Sequence, residues 1–436
     1  MNLKSCLYFT LLVFSTSVYA QHDLESDMLL TPYTVYEDTL VAGLKDKAAL
    51  IMEEAIKTLA FPGAQFMAVK EGEVIFHETY GYHTYDSLVP VGRKDLYDLA
   101  SVTKIAGPLP ALMKLVEEGK IDLDAPFSNY WEPWKNKKDK AGITFREVLA
   151  HQAGLKPYIA FMNHLMTDEG YNKKYVNTVA DKKYTKPVNN ELFVSKKFSK
   201  RIVRDISKSS VSDQKTYKYS GLSFLLYPDM IEQITGMSYR TYVRKNFYEP
   251  IGATTLMFNP KGWYPEQLIV PTEKDTLFRK SLVKGYVHDE NAAIMGGVSG
   301  NAGLFGTAED LARLMQLYLN KGVFNGKQIL SEAVVNEFTR VQFPENGNRR
   351  GLGFDKPLLD NGQLDIQEAY PAPGASEASF GHSGFTGTFV WADPQGEWIF
   401  VFLSNRVYPD RSHRAIYSLK VRERLMQLFY ETYQSQ

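Results

Sequence analysis

The feature that most constrains the fold of this chain is the placement of its strand patterns, which lie near both ends of the sequence. Residues 65–70 and 74–78 are typical of two strands joined by the short turn 71–73, and residues 388–393 and 398–403 form a second such pair. The chain between the two pairs is mostly helical or irregular in pattern. Two consecutive domains would not explain this order. We therefore expect one antiparallel sheet, built from both termini, in an α/β (α+β) fold.

Helical patterns flank the strands and fill the middle of the chain. Apolar periodicity and stop signals predict helices at about 40–59, 104–118, 308–320 and 411–433. Thr307 is the predicted N-cap of the third helix, with Asp310 at its third position. The helices nearest the two termini are expected to cover the sheet.

These patterns divide the chain into two predicted lobes of a single domain. The α/β lobe comprises about 40–100 and 290–436, and the helical lobe comprises about 101–289. Within the helical lobe, residues 158–218 are rich in lysine and tyrosine and have little apolar periodicity. We interpret this stretch as a long insertion, because structureless segments of such length usually line a site or cover it. A cleft between lobes is a common place for a site.

The N-terminus has the pattern of a secretory signal peptide. Lys4 precedes a short apolar run, and small residues precede a predicted cleavage after Ala20. A membrane anchor is the alternative, but it needs about 20 apolar residues, and this run is shorter. Cleavage would leave residues 21–436 as one domain without cysteine, because the chain's one cysteine is Cys6. We expect no stable membrane span after cleavage and a periplasmic or secreted protein of a bacterial envelope.

Charge and motifs exclude several functional classes. Lys+Arg and Asp+Glu both number 50, so the formal net charge is zero and no basic excess favours nucleic acid. The sequence lacks the motifs of zinc proteases, P-loops and dinucleotide-binding folds. His288 and Asp289 could bind a metal, but no third ligand is clustered with them. We expect no cofactor and no metal.

The pattern that carries chemistry is Ser-x-x-Lys, which occurs three times. Ser212 precedes Lys215 in the polar insertion, and Ser281 precedes a lysine that runs straight into a glycine. The match at Ser101 and Lys104 differs because it opens an apolar helix. A lysine one turn after a serine lies on the same helix face. Desolvation in a cleft favours the uncharged amine, which can then activate the serine hydroxyl.

With these residues in place, the sequence resembles the serine β-lactamase and penicillin-binding-protein superfamily, in particular β-lactamase-related hydrolases similar to class C β-lactamases and their esterase relatives. Three motifs occur in the family's order, followed by similar surroundings such as Gly384-Phe385-Thr386-Gly387-Thr388. The motifs are Ser101-x-x-Lys104, Tyr219-Ser220-Gly221 and His382-Ser383-Gly384. The resemblance covers about residues 44–430 and implies the β-lactamase/transpeptidase-like fold.

The resemblance also implies roles for these residues. Ser101 would be the nucleophile, Lys104 its proton-abstracting partner, and Tyr219 a second acid or base that needs neighbouring cations. The backbone N–H groups of Ser101 and Phe385 would form the oxyanion hole. His382 and Ser383, followed by Gly384, would face the substrate from a strand. His151 matches a position that supports a loop.

Two departures from the family pattern bear on the substrate. Gly221 replaces an Asn or Asp that in relatives contacts substrate or the lysine. His382 replaces a lysine, and imidazole is mostly uncharged at neutral pH. Penicillins and D-Ala-D-Ala peptides carry a carboxylate that such a lysine would attract, so this site is less suited to them.

Three hypotheses follow for the function. The first is an exported serine hydrolase that cleaves an ester or amide through an acyl-enzyme on Ser101. The second is a β-lactamase or peptidoglycan DD-peptidase, and the third is a non-catalytic binding protein that keeps the fold. The partner would be a small-molecule ester, amide or cell-wall-derived substrate. The sequence leaves the oligomeric state open.

Overall fold

The computed structural model describes residues 31–32 and 39–434, with side chains from residue 43 onward. The predicted signal peptide, residues 1–20, and Cys6 lie outside the described residues. No helix in the described part of the chain is long and apolar enough to cross a membrane.

Six strands form the main sheet, and both ends of the chain contribute to it. In chain order they are β1 Thr31–Pro32, β2 Gly63–Lys70, β3 Glu73–Gly81, β4 Phe380–Ser383, β5 Phe389–Asp393 and β6 Trp398–Ser404. Their order across the sheet is β1-β3-β2-β6-β5-β4. The central pair, β2 with β6, is antiparallel and joins the two ends of the sequence in register from Ala64 opposite Ser404 to Lys70 opposite Trp398. The prediction of one sheet built from both termini is confirmed. Its antiparallel character holds except at one edge, where β1 runs parallel to β3.

The central strands of the sheet are buried on both faces. Their side chains alternate between two apolar cores, one on each side of the sheet. Phe66 on β2 and Phe400 on β6 point into the first core, and Met67 and Val401 point into the second. A strand's side chains alternate with a period of two, so nearly continuous apolar strands such as these require a layer on each side.

Twelve α-helices occur among the described residues, and some of them supply those layers. They are α1 Thr39–Lys57, α2 Thr103–Ala106, α3 Pro108–Glu117, α4 Phe145–Leu149, α5 Phe198–Lys208, α6 Tyr227–Thr235, α7 Tyr239–Val243, α8 Glu290–Ile294, α9 Ala308–Leu319, α10 Glu332–Thr339, α11 Ala415–Ser418 and α12 Val421–Gln434. A π-helical turn, Arg244–Tyr248, follows α7. Helices α1 and α12 cover one face of the sheet, and α9 lies against the other. The terminal helices therefore flank the sheet as predicted.

Two predicted helices are each divided in the structure. The helix expected at 104–118 is split into α2 and α3 at Gly107, where a β-carbon would lie 2.4 Å from the hydroxyl of Tyr239. The helix expected at 411–433 is split into α11 and α12, with Lys420 between them at a positive φ of 48°. The third helix begins as predicted, because the Thr307 hydroxyl accepts a hydrogen bond from the backbone N–H of Asp310.

Residues 158–218, which we interpret as a long insertion, are not structureless as expected. This segment contains α5, a hairpin and a small three-stranded sheet; their strands are Met166–Thr167, Gly170–Tyr171, Val176–Asn177, Tyr184–Pro187 and Phe193–Ser195. Such short strands, of two to four residues, are too short to give a periodic signal in the sequence.

Short strands elsewhere bring distant parts of the chain together. The remaining strands are Tyr97–Asp98, Met257–Phe258, Leu304–Gly306, Glu273–Asp275, Ser281–Val283, Val323–Phe324 and Lys327–Gln328. The first three form one sheet in which Asp98 lies opposite Phe305. This pairing places the residues just after Asp98 beside those just before Leu304. The division into two lobes of one domain stays a prediction.

Candidate active site

Ser101 lies in a tight turn that the protein holds in an unusual backbone conformation. The turn, Ala100–Val102, is a 3₁₀ helix directly before α2, and Ala100 has a positive φ of 45°. Non-glycine residues rarely adopt this region, and such strain is often found at functional sites. The carboxylate of Asp98 supports the turn by accepting hydrogen bonds from the backbone N–H of Ala100 at 2.8 Å and of His288 at 2.6 Å.

Lys104 is directed at Ser101 from one turn further along. Its Nζ donates to Ser101 Oγ at 2.9 Å and to the backbone carbonyl of Asn301 at 2.8 Å. The lysine is only 2% exposed, and within the described residues it has no carboxylate partner. The serine and the amine are thus in direct contact in a desolvated place, as the Ser-x-x-Lys spacing predicts.

Tyr219 contacts the same serine from the segment between α5 and α6. Its hydroxyl donates to Ser101 Oγ at 3.2 Å, and Lys104 Nζ lies 5.4 Å from the centre of its ring. Ser101 Oγ therefore has two possible proton-transfer partners within hydrogen-bond distance. Neither of the other two Ser-x-x-Lys matches lies in this place: Ser281 is in a short strand and Ser212 is in an exposed loop.

His151 supports the segment that carries Tyr219. Its ring lies 4.6 Å from the Tyr219 ring, and its Nδ1 accepts a hydrogen bond from the backbone N–H of Ser220 at 3.2 Å. Burial, with the nearby charge of Arg350, holds the pKa of His151 well below its usual value. A neutral imidazole that accepts at Nδ1 fits the supporting role predicted for it.

The turn after β4 is fastened to the backbone just before Ser101. Thr386 Oγ1 donates to the carbonyl of Asp98 at 2.8 Å, and Thr388 Oγ1 donates to the carbonyl of Leu99 at 3.0 Å. A β-carbon on Gly384 would lie 2.1 Å from Thr388 Oγ1 and 2.7 Å from the Leu99 carbonyl. Gly384 thus permits the close approach of this turn to the Ser101 segment.

A cavity of about 370 Å³ includes Ser101 in its wall. Its lining residues are Ala100, Ser101, Lys104, Tyr158, Met162, Tyr219, Gly221, His288, Asp289, Glu290, Asn301, Ala302, Phe385 and Arg411. A larger cavity of about 490 Å³ lies elsewhere, next to Trp263 and the π-helical turn, and contains none of the predicted site residues. The smaller cavity is therefore the candidate active site, because Ser101, Lys104 and Tyr219 line it.

The predicted site residues on β4 and in the turn after it differ in their relation to this cavity. Phe385 lies in its wall, stacked on His288 with ring centres 5.7 Å apart. Phe385 thus borders the same cavity as Ser101, and the oxyanion role of its backbone N–H stays a prediction. His382, Ser383 and Gly384 are not part of the described cavity wall, although His382 lies behind Tyr219 with ring centres 6.0 Å apart.

His382 is buried in surroundings that disfavour its charged form. Desolvation, followed by the charges of Arg350 and Lys104, lowers its pKa to about 3. Its Nδ1 lies 2.7 Å from the backbone carbonyl of Ser383, and its buried Nε2 has no partner among the described residues. The imidazole is neutral at physiological pH, so it does not supply a positive charge at this position of the third motif.

Gly221 leaves open space that Asn301 borders. A β-carbon on Gly221 would meet only the β-carbon of Asn301, at 4.0 Å. The Asn301 carbonyl accepts from Lys104, and its side chain is held by Asp289 at 2.9 Å and Ser299 at 2.8 Å. Asn301 thus contacts Lys104 through its backbone carbonyl at the place where Gly221 provides no side chain.

Part of the cavity wall is charged, and the sequence analysis did not predict this. Arg411 donates to Glu273 at 2.9 and 2.7 Å and to Glu290 at 2.8 Å. Burial opposes the ionisation of Glu273, but hydrogen bonds from Arg411 and His288 outweigh it and lower its pKa to about 2. No motif surrounds Arg411, so only the fold shows that it reaches the cavity.

His288 makes a structural contact. Its Nε2 lies 2.8 Å from the buried carboxylate of Glu273. Among the residues that the structure describes, no group of three His, Cys, Asp or Glu side chains could hold a metal ion.

Comparison with known sequences gives a family match over most of the chain. A family model described as Beta-lactamase matches residues 48–422. A protein of Salmonella gallinarum named "Putative D-alanyl-D-alanine carboxypeptidase" is 31% identical over 371 residues, which cover 79% of each chain. A Salmonella agona protein of the same name is 31% identical over 374 residues, again 79% of each chain.

Solved structures share the fold at low sequence identity. The hydrolase EstCE1, described as having promiscuous acyltransferase activity, has a TM-score of 0.63 and 18% identity, covering 89% of this chain and 99% of its own. The octameric penicillin-binding protein homologue of Pyrococcus abyssi has a TM-score of 0.61 and 19% identity over 90% and 77% of the two chains. The D-amino acid amidase of Ochrobactrum anthropi has a TM-score of 0.60 and 16% identity over 90% and 99%. The β-lactamase/transpeptidase-like fold predicted from the motifs is confirmed.

Proposed function

This chain belongs to the β-lactamase family of serine hydrolases, and from that membership we propose that it is an exported enzyme that cleaves an ester or amide through an acyl-enzyme on Ser101. The observation that carries the proposal is the double contact on one hydroxyl. Ser101 Oγ accepts hydrogen bonds from Lys104 Nζ at 2.9 Å and from the Tyr219 hydroxyl at 3.2 Å, beside a cavity large enough for a small acyl group.

In the proposed reaction, Ser101 Oγ attacks the carbonyl carbon of the substrate while its proton moves to the Lys104 and Tyr219 pair. The backbone N–H groups of Ser101 and Phe385 stabilise the oxyanion. The bond to the leaving group then breaks, and the proton passes to that group through Tyr219. Water releases the acyl group by the same steps in reverse order, with the same residues moving the proton.

A cell-wall-derived amide is a second candidate substrate, and one observation favours it. The Salmonella relatives, at 31% identity, are named for action on D-alanyl-D-alanine. The neutral state of His382 weighs against a substrate that depends on a lysine for its carboxylate. We therefore rank a general ester or amide first and a D-Ala-D-Ala peptide or β-lactam second.

A non-catalytic binding role has less support. The reason to consider it is the missing side chain at Gly221, but the backbone carbonyl of Asn301 contacts Lys104 in this place. The proposed proton-transfer groups remain hydrogen-bonded to Ser101.

The test is a comparison of substrates on one preparation of the mature chain. Hydrolysis of a chromogenic short-chain ester, a D-alanyl anilide, a D-Ala-D-Ala peptide and a fluorescent penicillin is measured for the unaltered chain and for Ser101→Ala. The proposal predicts serine-dependent turnover of the ester or the anilide. Exclusive turnover of the peptide or stable labelling by penicillin would favour the second candidate, and folded protein inert to all four would contradict the proposed enzyme.

A further inference from the structure

The proposed role of Tyr219 depends on the positive charges near its ring. A tyrosine that accepts the proton of Ser101 must first exist as phenolate, and nearby positive charge favours that form. Lys104 lies on one side of its ring. On the strand side, His382 occupies the place where relatives have a lysine, and it is neutral.

The groups that face Tyr219 come from five parts of the chain. Lys104 is in α2, and His151 follows α4. Tyr217 lies two residues before Tyr219 in the chain. His382 is on β4, and Arg350 comes from the segment after α10. His151 and His382 both have pKa values held far below neutrality by burial. Within the described residues, the cations facing this ring are therefore Lys104 and Arg350.

Arg350 is well placed to act on Tyr219. Its guanidinium carbon lies 5.7 Å from the centre of the tyrosine ring, and the residue is only 2% exposed. One of its amines pairs with Asp355 at 3.0 Å and another donates to the carbonyl of Gly353 at 3.1 Å. Its buried Nε has no hydrogen-bond partner among the described residues.

The charge of this cluster is positive overall. Arg349 also pairs with Asp355, at 2.7 Å, so two guanidinium groups share one carboxylate. Two positive charges and one negative charge leave this cluster with a net charge of +1, and Arg350 is the member of the cluster that faces Tyr219. Because the site is desolvated, this charge is screened much less than one on the surface.

We propose that Arg350 is a positioning residue: its buried guanidinium supplies a second positive charge beside Tyr219, where His382 supplies none, and stabilises the negative charge that the Tyr219 oxygen carries during proton transfer. This inference rests on the proposed function. In the acylation step the phenolate takes the proton that Ser101 Oγ releases, directly or through Lys104, as the new oxygen–carbon bond forms. The neutral phenol then gives that proton to the leaving group when its bond to carbon breaks, which restores the phenolate.

The test is the pH dependence of kcat/KM on the best ester for the unaltered chain, Arg350→Gln and Arg350→Lys. Activity that requires a deprotonated base falls on the acidic side of the profile. Removing the charge in Arg350→Gln should move this acidic limb to higher pH by about one unit and lower kcat/KM at pH 7 by roughly tenfold or more. Arg350→Lys should keep the limb near its original position.

A second variant keeps the test informative where Arg350→Gln folds poorly. His382→Lys adds a cation next to Tyr219, so the limb should move to lower pH in that single variant and return toward its original position in Arg350→Gln/His382→Lys. Thermal melting of each variant separates stability from chemistry.

The outcomes are distinguishable from a failure of the proposed function. An unaltered chain that hydrolyses no ester, amide or β-lactam would overturn both. An active chain whose acidic limb stays in place in Arg350→Gln and His382→Lys would overturn the role of Arg350 alone, even if the rates fall.

Discussion

At the scale of single residues, Lys104 has the environment that matters most for the proposed chemistry. It is buried and, within the described part of the chain, has no carboxylate partner, and its two hydrogen bonds go to a serine hydroxyl and a backbone carbonyl. These contacts place Nζ where it can take the proton of Ser101 Oγ as the serine attacks its substrate.

Replacement of Lys104 therefore has a definite expected effect. Lys104→Met should lower the rate of Ser101 acylation by about 10²- to 10⁴-fold, the usual contribution of a general base, while the protein stays folded. The measurement is the rate of ester hydrolysis with circular dichroism as a check on folding. Lys215→Met is the matched control, because Lys215 completes another Ser-x-x-Lys but pairs with Glu147 at the surface. Equal activity of the two variants would contradict the role of Lys104.

His382 gives a prediction about stability and pH. Its pKa is about 3 in the folded chain against 6.5 when unperturbed, so the unfolded state binds the proton more readily. The folded chain therefore keeps its full free energy of unfolding above pH 6.5. Part of that free energy is lost as the pH falls from 6.5 toward 3, because the unfolded chain then takes up a proton at His382 and the folded chain does not. At pH 4.5 the loss is roughly 2–3 kcal/mol from this group.

The measurement is the free energy of unfolding in urea at pH 7.5 and pH 4.5. His382→Gln should lose less stability on acidification than the unaltered chain, by about that amount. Identical losses in the two proteins would show that His382 is not held neutral in the folded state.

At the scale of elements, the site depends on two loops that approach each other closely. The turn after β4 is hydrogen-bonded to the carbonyls of Asp98 and Leu99 through Thr386 and Thr388. The strand pairing of Asp98 with Phe305 brings the segment of Asn301 to the same place. The geometry around Ser101 is therefore set by contacts between elements that are far apart in sequence.

Two glycines provide a matched test of this arrangement. Gly384→Ala should destabilise the protein by about 1–3 kcal/mol and reduce activity strongly, because its β-carbon would collide with Thr388 and the Leu99 carbonyl. Gly221→Ala should change the free energy of unfolding by less than about 0.5 kcal/mol, because the space beside it is open. Both values come from urea unfolding. A Gly384→Ala variant as stable as Gly221→Ala would contradict the close approach of the two loops.

At the scale of the whole molecule, the sheet joins the two ends of the chain and is covered on both faces. Phe429 on α12 packs against Phe66, Phe76 and Phe400, with ring centres 5.5, 5.2 and 6.1 Å away. These contacts link the last helix to strands from both termini. Loss of the last helix should therefore affect the entire sheet.

Phe429→Ala tests this connection. Removal of the buried ring should lower the free energy of unfolding by about 3–5 kcal/mol, with little change in kcat for the protein that remains folded. Phe385→Ala is the control, because Phe385 is 48% exposed, and it should cost less than about 1 kcal/mol. A small loss for Phe429→Ala would mean that the terminal helix is not part of the cooperative core.

The sequence predicts the parts of this molecule that depend on local pattern. Strong strands at both ends predict the sheet, and the spacing of Ser101 and Lys104 predicts their contact. The short strands of 158–218 and the break at Gly107 arise from tertiary contacts, so periodicity does not reveal them. Arg350 and Arg411 come from segments without a motif, and only the fold brings Arg350 to Tyr219 and Arg411 to the cavity wall.

The central claim is that Ser101 forms a covalent acyl-enzyme. The most direct measurement is intact mass, followed by peptide mapping, after reaction with a fluorophosphonate and with the best ester. We predict one adduct per chain, located on Ser101 and absent from Ser101→Ala. Folded protein that gains no mass, or that carries the adduct on another residue, would contradict the claim.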